Sequence, residues 1–231
     1  MRGTLLMESE FSWYDFKNAT GLIAGTGKPW SQLALADISP GLSWKINDKW
    51  RAVTGMLFRF AGENDVDVSD SFTWGGYIAG RYSPSKDFSV TLGVRVNSRL
   101  EEDWRILPAL AMDWHVNQTV RVQLIPSVGG EALRVSSKLN DQWSFLIDGE
   151  YASREYRLND EGPLALGVVR DWRITIGAGV LWRPTDKIEV TARAGVAAWQ
   201  EFRVDDSNGD QQSKLNTDPS PYVYLGAAFN F

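Results

Sequence analysis

Phe88-Ser-Val-Thr-Leu-Gly-Val-Arg-Val-Asn97 alternates without a break. Phe88, Val90, Leu92, Val94 and Val96 fall on one face, and Ser89, Thr91, Gly93, Arg95 and Asn97 on the other. A period of two is the signature of a β-strand with differently solvated faces. The same pattern sets Trp172, Ile174, Ile176, Ala178, Val180 and Trp182 against Arg173, Thr175, Gly177, Gly179, Leu181 and Arg183. It returns in Ile188, Val190, Ala192, Ala194 and Val196 against Glu189, Thr191, Arg193, Gly195 and Ala197. Extended along the chain, it predicts twelve strands near 4–14, 31–46, 50–61, 71–83, 87–99, 104–116, 119–126, 131–139, 142–154, 170–183, 187–203 and 220–231. In the second strand Leu33 and Leu35 fall out of phase with Ile38, Leu42, Trp44 and Ile46, which predicts a bulge near Asp37 or Pro40.

Every second connection is a tight turn: Asn47-Asp48-Lys49, Pro84-Ser85-Lys86, Asn117-Gln118, Asn140-Asp141 and Pro184-Thr185-Asp186. The intervening connections at 15–30, 62–70, 155–169 and 204–219 are long, while those at 100–103 and 126–130 are short. Trp44-Lys-Ile-Asn-Asp-Lys-Trp50, Tyr82-Ser-Pro-Ser-Lys-Asp-Phe88 and Trp182-Arg-Pro-Thr-Asp-Lys-Ile188 read as variants of one hairpin. Aromatics on the apolar parity flank these turns, which puts Trp44, Trp50, Tyr82, Phe88, Trp114, Trp143 and Trp182 at one level. Trp13, Phe60, Phe72, Trp104 and Trp172 stand where an opposite level would lie.

The 231 residues carry 24 Lys+Arg, 29 Asp+Glu, one His, no Cys and 11 Trp. The longest run without a charge is Pro219 to Phe231. A spanning helix needs about 20 apolar residues, so helical membrane crossing is excluded. Without Cys there are no disulfides, thiolate metal sites or Cys nucleophiles. A single His cannot build a multi-histidine metal site, and a net charge of −5 gives no general attraction to nucleic acid. No secretory leader is visible at Met1-Arg2-Gly3, and the chain reads as a mature or recombinant form. The expectation is one domain over residues 1–231, with no cofactor and no metal.

Alternation alone does not say which face is the core. Twelve strands at about 4.8 Å spacing and about 40° tilt give a backbone radius of roughly 12 Å. Apolar chains would not fill that interior, whereas charged chains and water can. Gly and long Arg side chains dominate the polar parity, and short turns at one end oppose long loops at the other. These features predict an all-β, up-and-down antiparallel transmembrane barrel of twelve strands, closed by pairing 4–14 with 220–231 and with both termini at the short-turn end. In such a barrel the aromatic levels are interfacial girdles. The alternative is a soluble barrel or sandwich with the faces reversed.

Val223, Leu225, Ala227, Phe229 and Phe231 share a parity up to the last residue. This ending resembles the C-terminal signature of Gram-negative outer-membrane proteins. The resemblance implies an outer-membrane location and recognition by the assembly machinery, with Phe231 as the signal. Through Leu107-Pro108-Ala-Leu, the Ile125-Pro126 hairpin and Phe231, the whole chain resembles poorly characterised, porin-like outer-membrane barrels of twelve strands. That resemblance implies a lipid bilayer and lipopolysaccharide as surroundings. It transfers no activity and no functional residue.

Candidate chemistry is sparse. His115 lies beside a short turn with Asp113 on its parity but no adjacent Ser, so the Ser–His arrangement of a lipid hydrolase is incomplete. Gly21-Leu-Ile-Ala-Gly-Thr-Gly-Lys28 has one residue too many for a phosphate loop, and Pro29 replaces its Ser or Thr, so a flexible outer loop is expected. Asp206-Ser-Asn-Gly-Asp210 lacks the first and last acidic ligands of a calcium loop; with Asp65, Asp67 and Asp70 it offers at most weak bridging of lipopolysaccharide phosphates by divalent ions. Glu8/Glu10 and Asp148/Glu150 are paired carboxylates that read as ion-pair partners rather than an acid–base couple. No enzyme is expected.

The inward charges are the strongest functional signal. Arg51, Arg59, Arg81, Arg95, Arg99, Arg105, Arg121, Arg134 and Lys138 form one basic wall. Glu8, Glu10, Asp37, Asp148, Glu150, Glu189 and Glu201, mixed with Lys45, Arg154, Arg173, Arg183 and Arg193, form the other. This layout predicts a narrow channel for small polar or anionic solutes. The alternative is an occluded structural barrel whose charges pair across the lumen.

Overall fold

The computed structural model describes residues 1–16, 19, 21–23, 29–127, 129–161, 163–185 and 187–229. The described residues are all-β, with strands β1 (Arg2–Trp13), β2 (Gln32–Lys45), β3 (Trp50–Glu63), β4 (Phe72–Tyr82), β5 (Phe88–Asn97), β6 (Arg105–His115), β7 (Val120–Ser127), β8 (Gly130–Lys138), β9 (Trp143–Arg157), β10 (Val168–Thr185), β11 (Ile188–Asp205), β12 (Gln211–Thr217) and β13 (Ser220–Phe229). Each strand up to β11 pairs antiparallel with the next. The strand that alternation misses is β12, so thirteen replace the expected twelve. Its sequence, Gln-Gln-Ser-Lys-Leu-Asn-Thr, carries no apolar parity to read. It forms because β11 runs on to Asp205 and needs a partner there. β13 then pairs β11 from Ala197 back to Ile188, so β12 and β13 cover successive stretches of one strand.

The seven strands β3 to β9 close into a barrel through a parallel bridge between Gly62 and Arg157, at the long-loop end. Closure therefore differs from the expected pairing of 4–14 with 220–231: among the described residues β1 pairs only β2, and β13 only β11. Arg157 organises the pinch. Its Nη1 donates to the Leu166 carbonyl and lies 2.5 Å from Glu101, and its Nε donates to the Asp70 carbonyl. One guanidinium thus ties three loops together. Both ends of the sheet point to the short-turn end, since Arg2 faces Ser43 and Phe229 faces Ile188.

The short turns repeat one device. The Asn47, Asn117 and Asn140 side-chain oxygens each accept the backbone N–H groups two and three residues on. This is the local bonding that makes Asn a turn former. Lys45 and Lys138 reach Asp48 and Asp141 across the same turns, and hold those carboxyls below the usual range.

No bulge occurs near Asp37 or Pro40. Ile38 faces Phe58 and Gly41 faces Gly55 in one frame, so Leu33, Leu35 and Asp37 share the inward parity. The leucines face in because the interior there is apolar. Leu22, Ile23 and Trp30, from the connection after β1, pack with Leu33, Leu35, Ala61, Tyr156, Val169, Phe202 and Val204 into one buried cluster. Tyr14, Phe16, Trp30 and Phe202 join ring to ring in it, with centroids 5.1 to 6.3 Å apart. The 15–30 connection, expected as an outer loop, thus supplies an inner plug through its described residues.

The bulge lies instead in β11. Ile174 faces Trp199 while Thr175 faces Ala197, so Ala198 is the extra residue. Inward parity then changes from odd to even, and Gln200, Phe202 and Val204 are buried. Glu201, read as inward, is turned to the other face and pairs with Lys214 of β12 at 3.0 Å.

Glycines shape the inner wall of β10. Arg193 of β11 crosses β10 to reach Asp148 and Glu150 of β9. It can do so because Gly177 and Gly179 leave β10 low there. A Cβ on Gly179 would meet Cα and Cβ of Arg193 at 2.7 Å. Gly179→Val is therefore expected to prevent recovery of the folded barrel, measured by circular dichroism and resistance to proteolysis. Gly3→Val, with nothing within 4 Å, should fold as the wild type does.

Candidate functional site

Alternation places charges on the inner face, and strand register decides which of them meet. At mid-barrel, Arg154 links Glu10 of β1 at 3.0 Å to Glu150 of β9 at 3.4 Å, and Arg173 holds the same Glu10 at 2.6 Å. Asp148 takes Arg193 at 2.7 Å and Arg134 at 3.4 Å. Glu8 faces Asp37 across β1 and β2 with no cation bonded to it among the described residues. Asp37 is itself held by two hydrogen bonds from Arg59, at 2.7 and 2.6 Å. Nearer the loop end, Arg99 pairs with Glu155 and Glu102, and Arg170 pairs with Glu102 and with Asp205. At the short-turn end Arg121 holds Asp113 and Arg183 holds Glu189.

Part of the basic wall is left without carboxylates. Arg51 stands between Lys45 and Arg81 in register, and among the described residues Arg81 donates to the Thr91 hydroxyl and makes no ion pair. Arg95 has no ion pair among the described residues, and its Nε is buried without a hydrogen-bond partner. Arg105 donates to the Ser153 hydroxyl at 3.1 Å and has no carboxylate partner among the described residues. Arg59, Arg95, Arg99 and Arg105 line a cavity of about 60 Å³ inside the seven-strand ring, together with Thr73, Asn97, Ser98, Ser153 and the carboxylate of Glu155. A larger open cleft of about 830 Å³ runs along residues 99–106 and shares Arg99 and Arg105 with it. A seven-strand ring has a backbone radius of about 7 Å, which side chains nearly fill. The four arginines thus surround a small polar cavity, an arrangement suited to holding one small anion.

The outer face is the reverse. Leu92, Ile106, Ile147 and Ile176 are each more than half exposed, and Leu42, Met56, Leu133, Val135, Val180 and Val196 are exposed with them. At the short-turn end the Trp50 and Tyr82 rings pack tilted at 4.8 Å and Trp143 stacks on Trp182 at 5.8 Å, while Phe88 faces Trp114. Trp44, Trp50, Trp114, Trp143 and Trp182 are all exposed.

His115 is exposed at the short-turn end opposite Arg121, and the nearby Asp113 is committed to that arginine. The Asp206 carboxylate is taken up by its own loop, accepting from Asn208, Asp210 and Gln212. No group of three or more metal-binding side chains occurs among the described residues. Phe231 and residues 24–28 of the glycine-rich stretch lie outside the described residues. Sequence reasoning missed the mouth carboxylates Glu101, Glu102, Glu155 and Asp205. Their only signal is a place at or beyond the strand ends opposite the tight turns, where alternation stops.

Residues 30–230 match the family model described as Domain of unknown function (DUF6268), so the chain belongs to that family. No curated protein matches the chain. No solved structure matches it.

Proposed function

We propose that this chain is a transmembrane barrel of the Gram-negative outer membrane that passes small anions through a narrow, arginine-lined constriction. The observation that carries the reading is the inversion of its faces. Ion pairs and arginines fill the inside, while an apolar belt bounded by tryptophans is bare on the outside. Exposed apolar patches beyond a few hundred Å² are rare on soluble monomers. In this reading β12 and β13 act as one lane beside β11, giving the even count of twelve. The bilayer and lipopolysaccharide are its surroundings, and the short turns face the periplasm.

A second reading, a sealed structural barrel, is favoured by the aromatic plug and by the pairing of most inner charges. A planar bilayer decides between them. The conduit reading expects small, anion-preferring steps; insertion without conductance would leave the sealed barrel. The membrane reading is tested separately with spin labels. Labels at Leu92 and Val180 should collide with lipid-soluble oxygen, and labels at Thr91 should see a polar relaxant. The opposite pattern would mean a soluble barrel.

A further inference from the structure

We propose that Arg95 and Arg105 form a binding site for one phosphate-type oxyanion inside the seven-strand ring. The inference deepens the conduit reading and rests on it, because this cavity lies inside the seven-strand ring through which the proposed path runs. The four guanidiniums there are not equivalent. Arg59 spends its fork on Asp37, and Arg99 is held by Glu155 and Glu102. Arg95 and Arg105 point into the same cavity with no carboxylate bonded to either among the described residues, and only one hydroxyl engaged. The charge of Glu131 reaches Arg95 through space without an ion pair between them.

Glu155 also lines the cavity but is engaged by Arg99. Two enclosed cations with no carboxylate bonded to them among the described residues are costly, because desolvation of each is offset fully only by a bonded partner. A doubly charged tetrahedral anion supplies that partner. Its oxygens match the planar donor fork of arginine in a way a spherical ion does not. Thr73, Ser98 and Ser153 add hydroxyls on the cavity wall, and the Asn97 side-chain oxygen is buried without a partner, poised for a protonated phosphate oxygen. The volume of about 60 Å³ suits one small oxyanion or a few waters. The β7–β8 hairpin seals one side: Gly129 adopts φ of 77°, and a Cβ there would lie 2.7 Å from the Ser153 carbonyl.

The phosphate could be a free solute or the headgroup of a phosphorylated lipid at the mouth, and the test separates them. Refolded protein in uncharged detergent is titrated with orthophosphate, and in a second arm with lipid A, by calorimetry. Saturable one-to-one orthophosphate binding is expected, weakened about 10- to 100-fold in Arg95→Gln and in Arg105→Gln, since each removes charge-assisted hydrogen bonds. Binding of lipid A alone, lost in the same variants, keeps the site and assigns the phosphate to lipid. Gel migration and circular dichroism establish that the variants fold; Arg51→Gln, outside the cavity, should bind as the wild type does. No binding in either arm, or binding indifferent to both variants, overturns the proposal. Phosphate binding in a barrel that never conducts would keep the site and remove the conduit. Conduction without phosphate binding would do the reverse.

Discussion

Trp30→Ala and Phe202→Ala are each expected to lower the unfolding free energy of the barrel by about 3–5 kcal/mol, the range for truncating a buried aromatic. Trp30 is 2% and Phe202 1% exposed, and their rings lie 5.3 Å apart at 68°. Each therefore loses its own contacts and leaves the other facing a void. The double variant should cost less than the sum, because the shared contact is lost only once. Urea unfolding in micelles followed by tryptophan fluorescence measures this for Phe202→Ala, and circular dichroism does so for Trp30→Ala. Tyr14 adds a pH signature. Burial holds its hydroxyl well above the ordinary value of 10.0. The folded barrel keeps Tyr14 neutral where the unfolded chain ionises, so its contribution is whole below pH 10 and declines above it. Tyr14→Phe should remove that alkaline decline. In a bilayer the double variant should also raise conductance, since the compartment beside the seven-strand ring loses its filling. Unchanged stability in both single variants would mean that the aromatic cluster does not hold the loop end together.

The plug explains where sequence reading succeeded and where it stopped. Strand register follows from alternation because each strand separates two media along most of its length, and Phe88 to Asn97 does so from end to end. At the loop end the inner medium changes from polar to apolar. Leu33 and Leu35 therefore carry apolar side chains on the polar parity, and periodicity alone reads them as a slip. The two leucines were the visible trace of the plug, but nothing local names their partners, which come from Trp30, Tyr156 and Phe202. The bulge at Ala198 was hidden for a related reason. Ala197 and Ala198 are small and fit either face, and Glu201, Phe202 and Val204 continue the unshifted parity, so Trp199 on the polar parity is the mark that the phase change leaves. Which inner charges pair was equally out of reach. Arg193 meets Asp148 only because two glycines lower the strand between them, a relation across three strands.

That pairing pattern decides the last expectation. Arg59, Arg95 and Arg105 look alike in sequence, yet reversing Arg59 would set a new carboxylate against Asp37 and disturb folding. Arg95 and Arg105 have no ion pair among the described residues, so Arg95→Glu with Arg105→Glu changes the charge of the proposed constriction by four units while breaking none of the described ion pairs. In a membrane under a tenfold salt gradient, the wild type should show a reversal potential of anion sign, and the double variant one of cation sign. A charge at the constriction acts over the distance an ion must pass. At 0.1 M salt the Debye length is about 10 Å, larger than the roughly 7 Å ring radius, so the field spans the opening. At 1 M it shrinks to about 3 Å, and both proteins should move toward weak selectivity. A double variant that keeps anion preference at low salt would place the selective region elsewhere, at the Lys45, Arg51 and Arg81 row of the short-turn mouth. Arg51→Glu with Arg81→Glu would then reverse the sign instead.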